Sequence, residues 1–283
     1  MVSNSVMIAM YTLFIIIAAF PIMTAILLKM RKKVRFAPFL LGLVTYFTFA
    51  VICVSVLNVL FLSDKRPTSF FIKNNVIPYS IYFAIVTGML EELGIMVAFK
   101  KILVSRDEKS TAFMYALGHA GLDAVLIAGP ALLVYINCGA TINELGIEGF
   151  REKFADARNI NPDEIIDILQ KLGISDILYM GFERIMYFAM HIFLSFMIFY
   201  SVKRRTIAYF WFAVVLRALC TIPGSVKKFY PDNTGLNVVL VGFTLVFIGF
   251  AGYIAYRLYG NYDTEEILLP KNLFARKSTY KNV

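Results

Sequence analysis

The chain is 283 residues long, 59% hydrophobic and 15% aromatic, with a mean hydropathy of +0.70 and a formal net charge of +9. So apolar a composition excludes a soluble domain, and no strand-like alternation recurs to suggest a transmembrane barrel. The expectation is an all-α polytopic transmembrane bundle, multi-pass in the cell membrane.

Seven stretches approach the ~20 apolar residues that a bilayer core requires. In chain order they are 6–29, 37–62, 76–100, 111–136, 176–200, 206–226 and 234–258. No basic residue precedes the first, while Lys29, Arg31, Lys32, Lys33 and Arg35 follow it. That is the reverse of a cleavable signal peptide and predicts a retained helix with its N-terminus outside. Assigning the loops to alternate sides gives 17 Lys and Arg inside against 9 outside, which puts the C-terminus in the cytoplasm.

Between the fourth and fifth stretches, 137–175 reads as an extramembrane helical insertion on the outer face. Asn161-Pro162-Asp163-Glu164 before Ile165, Ile166, Ile168, Leu169 and Leu172 is a capped amphipathic helix ending at Gly173, and Leu145–Phe154 predicts another. Residues 259–283 form a basic tail. Lys203, Arg204, Arg205 and the tail's Lys271, Arg276, Lys277 and Lys281 account for much of the net charge by facing an anionic leaflet, so the bilayer is the expected partner and nucleic acid is not. Cys53, Cys138 and Cys220 are odd in number and lack ligand spacing, which suggests neither a disulfide framework nor a thiolate metal site.

The informative residues are ionisable ones deep in the spans, where each costs several kcal/mol unless partnered. The chain's two histidines, His119 and His191, lie at nearly the depth of Glu91-Glu92. At 1.5 Å per residue all are roughly 12–14 Å from the inner ends of the third, fourth and fifth spans. Helical spacing offers Gly88, Glu91, Glu92 and Ile95 on one face, Tyr115, His119 and Asp123 on a second, and Arg184, Phe188, His191 and Ser195 on a third. Gly118 and Gly121 flank His119 and permit close approach. The four deep carboxylates, Glu91, Glu92, Asp123 and Glu183, face two permanent cations, Arg184 and Arg217, which read as structural counter-ions.

Three chemistries use such a cluster: hydrolysis by glutamate-activated water with imidazole assistance, a metal site, and an ion or proton path through a transporter. For the metal case the ligands would be His119, Asp123, His191 and Glu91, with zinc as the ion; no HExxH motif favours it. The fourth reading, that the groups only pair to fix helix packing, spends many buried charges on one task.

Glu91-Glu92, the basic loop from Lys100 to Lys109, the run Ala116-Leu117-Gly118-His119-Ala120-Gly121-Leu122-Asp123-Ala124, and Glu183-Arg184 with His191-xxx-Ser195 together resemble the YhfC family over about 76–205. That family is grouped with the CAAX prenyl endopeptidases and PrsW, the glutamic-type intramembrane proteases. Their motifs are EExxxR, FxxxH and HxxxN. The resemblance implies Glu91 as the base that activates water, with Glu92 beside it, His119 (in Tyr115-xxx-His119) as the group positioning that water, and His191 as the oxyanion partner, with Ser195 in the asparagine position. Met96 stands where the arginine belongs; Ala120 and Asp123 depart from GHGGxE. The implied activity is peptide-bond hydrolysis in membrane-protein or lipidated-peptide substrates, without a favoured cofactor. A transporter or non-catalytic substrate-binding protein is the alternative, and a metal-dependent protease the third. The depth estimate predicts a polar cavity opening to the cytoplasm.

Overall fold

A computed structural model describes residues 1–64, 66–155, 161–231 and 233–262. Among these, seven helices are long and apolar enough to cross a membrane: Asn4–Lys32, Ala37–Leu62, Val76–Ile102, Lys109–Phe154, Ile174–Lys203, Ala208–Lys227 and Thr234–Asn261. No strand occurs among the described residues. The protein is an all-helical, multi-pass membrane protein.

The first span is α1 (Asn4–Lys32). The second comprises α2 (Ala37–Tyr46), a π-helical stretch Phe47–Cys53 and α3 (Val54–Leu62), and short α4 (Pro67–Asn74) follows. Helix α5 (Val76–Val97) continues into a second π-helical stretch, Ala98–Ile102. Then come α6 (Lys109–Phe154), α7 (Pro162–Lys171), α8 (Ile174–Lys203), α9 (Ala208–Lys227) and α10 (Thr234–Asn261). Side chains cap three of these starts: Ser3 accepts from Val6 N, Asn161 from Asp163 and Glu164 N, and Asn233 from Leu236 N.

The fourth span differs most from the sequence expectation. Helix α6 does not stop at 136 but continues to Gly146, whose φ of 74° and ψ of 176° suit glycine alone, and then resumes to Phe154. The uninterrupted part is roughly 55 Å long at 1.5 Å per residue, well beyond a hydrocarbon core of about 30 Å. Nothing between Asn137 and Leu145 breaks a helix, and Ile142 and Cys138 bury against α1 and α7, so packing extends the span. Arg151 then bridges Glu148 and Asp163, tying the end of α6 to α7. Residues 156–160 of the expected insertion, and the tail beyond Tyr262, lie outside the described residues.

Helix α6 is the hub, packing on α1, α2 and α8, while α5 packs on α9 and α10 lies over α8 and α9. Small residues permit this. A Cβ on Gly118 would overlap the Phe39 carbonyl, and one on Gly42 would sit 2.7 Å from His119 N, so α2 and α6 touch backbone to backbone. Similarly, a Cβ on Gly121 would lie 2.7 Å from Pro21 of α1, and one on Gly88 3.0 Å from the Val214 carbonyl of α9. Residues such as Ile8, Ile15, Ile185, Val238 and Val246 stay exposed on the circumference, as lipid-facing positions should.

Candidate active site

Three spans converge on one point. Glu91 of α5, His119 of α6 and His191 of α8 each bring a ligand-capable atom within 4.8 Å of the other two, and all three residues are buried. The imidazole centroids are 5.1 Å apart. All four ring nitrogens lack a hydrogen bond among the described residues. Buried polar atoms of native proteins are rarely left so, and four together point to a water or ion among them.

Glu91 is held firmly. Arg217 of α9 donates Nε–H to Oε2 at 2.7 Å and an Nη2–H to Oε1 at 2.9 Å, a bidentate fork, while its Nη1 donates to Thr221 at 3.2 Å. The close α5–α9 approach at Gly88, one turn before Glu91, brings the guanidinium within reach. The arginine absent at Met96 thus has a counterpart from another helix. Arg217, read from sequence as a counter-ion, takes Glu91 as its partner.

The histidines are framed by rings. Tyr115 stacks on His119 at 5.9 Å, and its hydroxyl shares a 2.5 Å hydrogen bond with Thr45. Tyr46 stands edge-on to His119 at 5.1 Å and to His191 at 6.4 Å, and its hydroxyl donates to Asp123 Oδ1 at 2.7 Å. Tyr46 carries no signal in the sequence: it lies in an apolar run, one of 16 tyrosines. It directly precedes the π-helical stretch Phe47–Cys53, and such stretches recur at functional sites.

Asp123 is not one of the three converging groups. Its Oδ2 lies 3.7 Å from His191 Nε2 and 3.9 Å from Arg184 Nη1, beside the cluster rather than in it. Glu92 and Ser195, also expected at the site, are fully buried with side-chain oxygens that make no hydrogen bond among the described residues. Glu183 lies apart, accepting from Lys227 at 3.4 Å.

A cavity of about 330 Å³ borders the cluster through Asp123, Arg184, Arg217 and Thr221. Its far wall is Tyr79, Lys227, Lys228 and Asn237, so it opens where α9 ends and α10 begins. This is the end opposite to the loop 103–108, and the cavity therefore does not open as the depth estimate required. The reason is an aromatic plug: Phe99, Tyr115, Phe199, Tyr200 and Tyr209 are buried together on the loop 103–108 side, with Phe99 at 4.8 Å from Tyr115 and 5.3 Å from Phe199. Depth along a helix says nothing of what fills the space below it.

Two imidazoles and one carboxylate are the donor set of the His₂Glu catalytic zinc sites, and unpartnered ring nitrogens suit it. The geometry accommodates either such an ion or a water poised between carboxylate and imidazole.

The family model described as YhfC intramembrane metalloprotease matches residues 15–244. A curated protein of Bacillus subtilis (strain 168), named "Uncharacterized membrane protein YhfC", is 26% identical over 212 residues, covering 72% of this chain and 78% of its own. No solved structure matches the chain.

Proposed function

The chain belongs to the YhfC family of intramembrane metalloproteases, and from that membership we propose that it is an intramembrane endopeptidase whose reaction centre is Glu91, His119 and His191. The observation that carries this reading is the convergence of the three donors, within 4.8 Å, beside a polar cavity. Its substrates are membrane-embedded or membrane-proximal segments of proteins or lipidated peptides.

His119, His191 and Glu91 would hold the metal, zinc being the ion their donor set suits; bound there, it supplies Lewis acidity toward water and the scissile carbonyl. The protein's own groups do the rest. Arg217 fixes the Glu91 carboxylate in rotation by its fork. Asp123, anchored by Tyr46, lies beside His191 Nε2 and selects the ring's orientation. Glu92, buried without a hydrogen bond, is the remaining carboxylate to take a proton from water and return it to the amine as the C–N bond breaks. Ser195, one helical turn from His191, adds a hydroxyl donor for the developing oxyanion.

A glutamic mechanism has one observation in its favour: the guanidinium fork fixes both Glu91 carboxylate oxygens beside the two imidazoles, where a base that takes a proton from water would stand. Metal content separates the two. Purified protein should carry about one equivalent of metal, which His119→Ala, His191→Ala and Glu91→Gln lose and Glu92→Gln retains. All four variants should lose cleavage of single-span reporter proteins. Cleavage by metal-free protein in chelator would establish the glutamic reading, and undiminished cleavage by all four variants would remove this site from the reaction.

A further inference from the structure

We propose that the cavity beside the reaction centre is a cationic vestibule that receives an acidic peptide segment. For its occupant being a substrate, this rests on the peptidase reading; the vestibule's charge and ligand class do not.

Four cations line the cavity, Arg184, Arg217, Lys227 and Lys228, against two acids, Asp123 and Glu183. Arg217 is committed to Glu91, and Lys227 reaches Glu183 at 3.4 Å. Arg184 lies 3.9 Å from Asp123, beyond a hydrogen bond, and that carboxylate already accepts from Tyr46. Lys228 has an ammonium with no acidic partner among the described residues. Counting Glu91 with Arg217, the wall keeps a net positive charge.

The three cations other than Arg217 are positioned alike. The Arg184 guanidinium lies 5.1 Å from the Tyr187 ring centroid, Lys227 Nζ 4.6 Å from that of Tyr179, and Lys228 Nζ 4.1 Å from that of Tyr79. A cation resting on an aromatic face is held without consuming all its N–H donors. Tyrosines on α5 and α8 thus fix a set of donors along the passage from the bundle end to the cluster. The chemistry matching such a wall is a run of carboxylates on an extended peptide, whose acidic side chains would flank the scissile bond on the vestibule side. A second hollow among the described residues differs: about 490 Å³ and lined mainly by apolar and aromatic side chains such as Phe113, Phe193, Phe196, Tyr256 and Tyr259, it includes neither Asp123 nor Arg217 in its wall.

The test reads charge rather than catalysis. In a protein with Cys53, Cys138 and Cys220 replaced by alanine, Ser225→Cys puts a thiol on the cavity wall in place of a hydroxyl. Sulfonatoethyl and trimethylammonioethyl methanethiosulfonates are compared for rate, relative to their rates on free glutathione. The anionic reagent should be favoured about tenfold by the focused positive field, and Lys228→Glu should abolish most of that preference. Capped hexaglutamate should slow the modification, and hexalysine should not. Leu240→Cys, on the α10 wall, repeats the measurement should Ser225→Cys misfold. Equal normalised rates for both reagents, no protection by hexaglutamate, or unreactive thiols at both positions would overturn the proposal. Preserved selectivity in a protein that cleaves nothing would instead leave the vestibule standing and remove the peptidase reading.

Discussion

Glu91 and Arg217 are 126 positions apart in the chain and meet in a two-point hydrogen bond with both side chains buried. Removing one member of such a pair strands a buried charge, which costs about 3–5 kcal/mol. Arg217→Ala should therefore lower thermal unfolding in detergent markedly, whereas Arg217→Lys, keeping the charge without the fork, should recover part of the loss. A thermal transition unchanged in Arg217→Ala would show that the pair contributes no stability. Tyr46→Phe removes the hydroxyl that Asp123 accepts from; about 1–3 kcal/mol should follow, since the carboxylate stays buried. Sequence marked Arg217 as a counter-ion without choosing among Asp123, Glu183 and the Glu91-Glu92 pair, and did not mark Tyr46 at all. Periodicity reports which residues share a helix face; it does not report which face of a distant helix they meet.

Helices α2 and α6 show why the second span matters to a site whose expected residues all lie elsewhere. Their crossing at Gly42 and Gly118 brings backbones together, which carries Thr45 to Tyr115 and Tyr46 to His119. The glycines beside His119 were legible in sequence as places of close approach; that α2 would be the neighbour was not, because apolar spans offer many equivalent faces. Gly118→Ala should force the two helices apart, costing at least about 1–3 kcal/mol as overpacking does, and should shift the tyrosines that frame the imidazoles. Gly242→Ala in α10 is the control: nothing lies within 4 Å of the added carbon, so stability should hold or rise by the helix propensity gained, below about 1 kcal/mol. Thermal unfolding of both variants checks this, and equal losses would mean that the crossing is not the reason. At Gly146, alanine meets no neighbour but is strained by the backbone, about 1–3 kcal/mol confined to the end of α6.

At the scale of the molecule, the spans were legible because hydropathy and length are local properties, and the observed helices begin and end near the expected limits except at the long α6. The direction of the cavity was not legible, because it depends on which end side chains from four spans fill. The aromatic plug of Phe99, Tyr115, Phe199, Tyr200 and Tyr209 closes the end that bears the loop 103–108, and the vestibule opens at the other. Coupled to the sequence expectation that the loop 103–108 is cytoplasmic, this has a physiological consequence: the vestibule should face away from the cytoplasm. Single cysteines in a cysteine-free background report it. Thr68→Cys, exposed on the short helix α4 at the open end, should react in intact cells with a membrane-impermeant maleimide. Ser105→Cys, exposed in the loop at the plugged end, should react only after the membrane is disrupted. The reverse pattern would put the vestibule in the cytoplasm and leave its cationic wall unchanged. The two outcomes assign the acidic segment of the substrate to opposite sides of the membrane, so orientation decides which membrane proteins can present it.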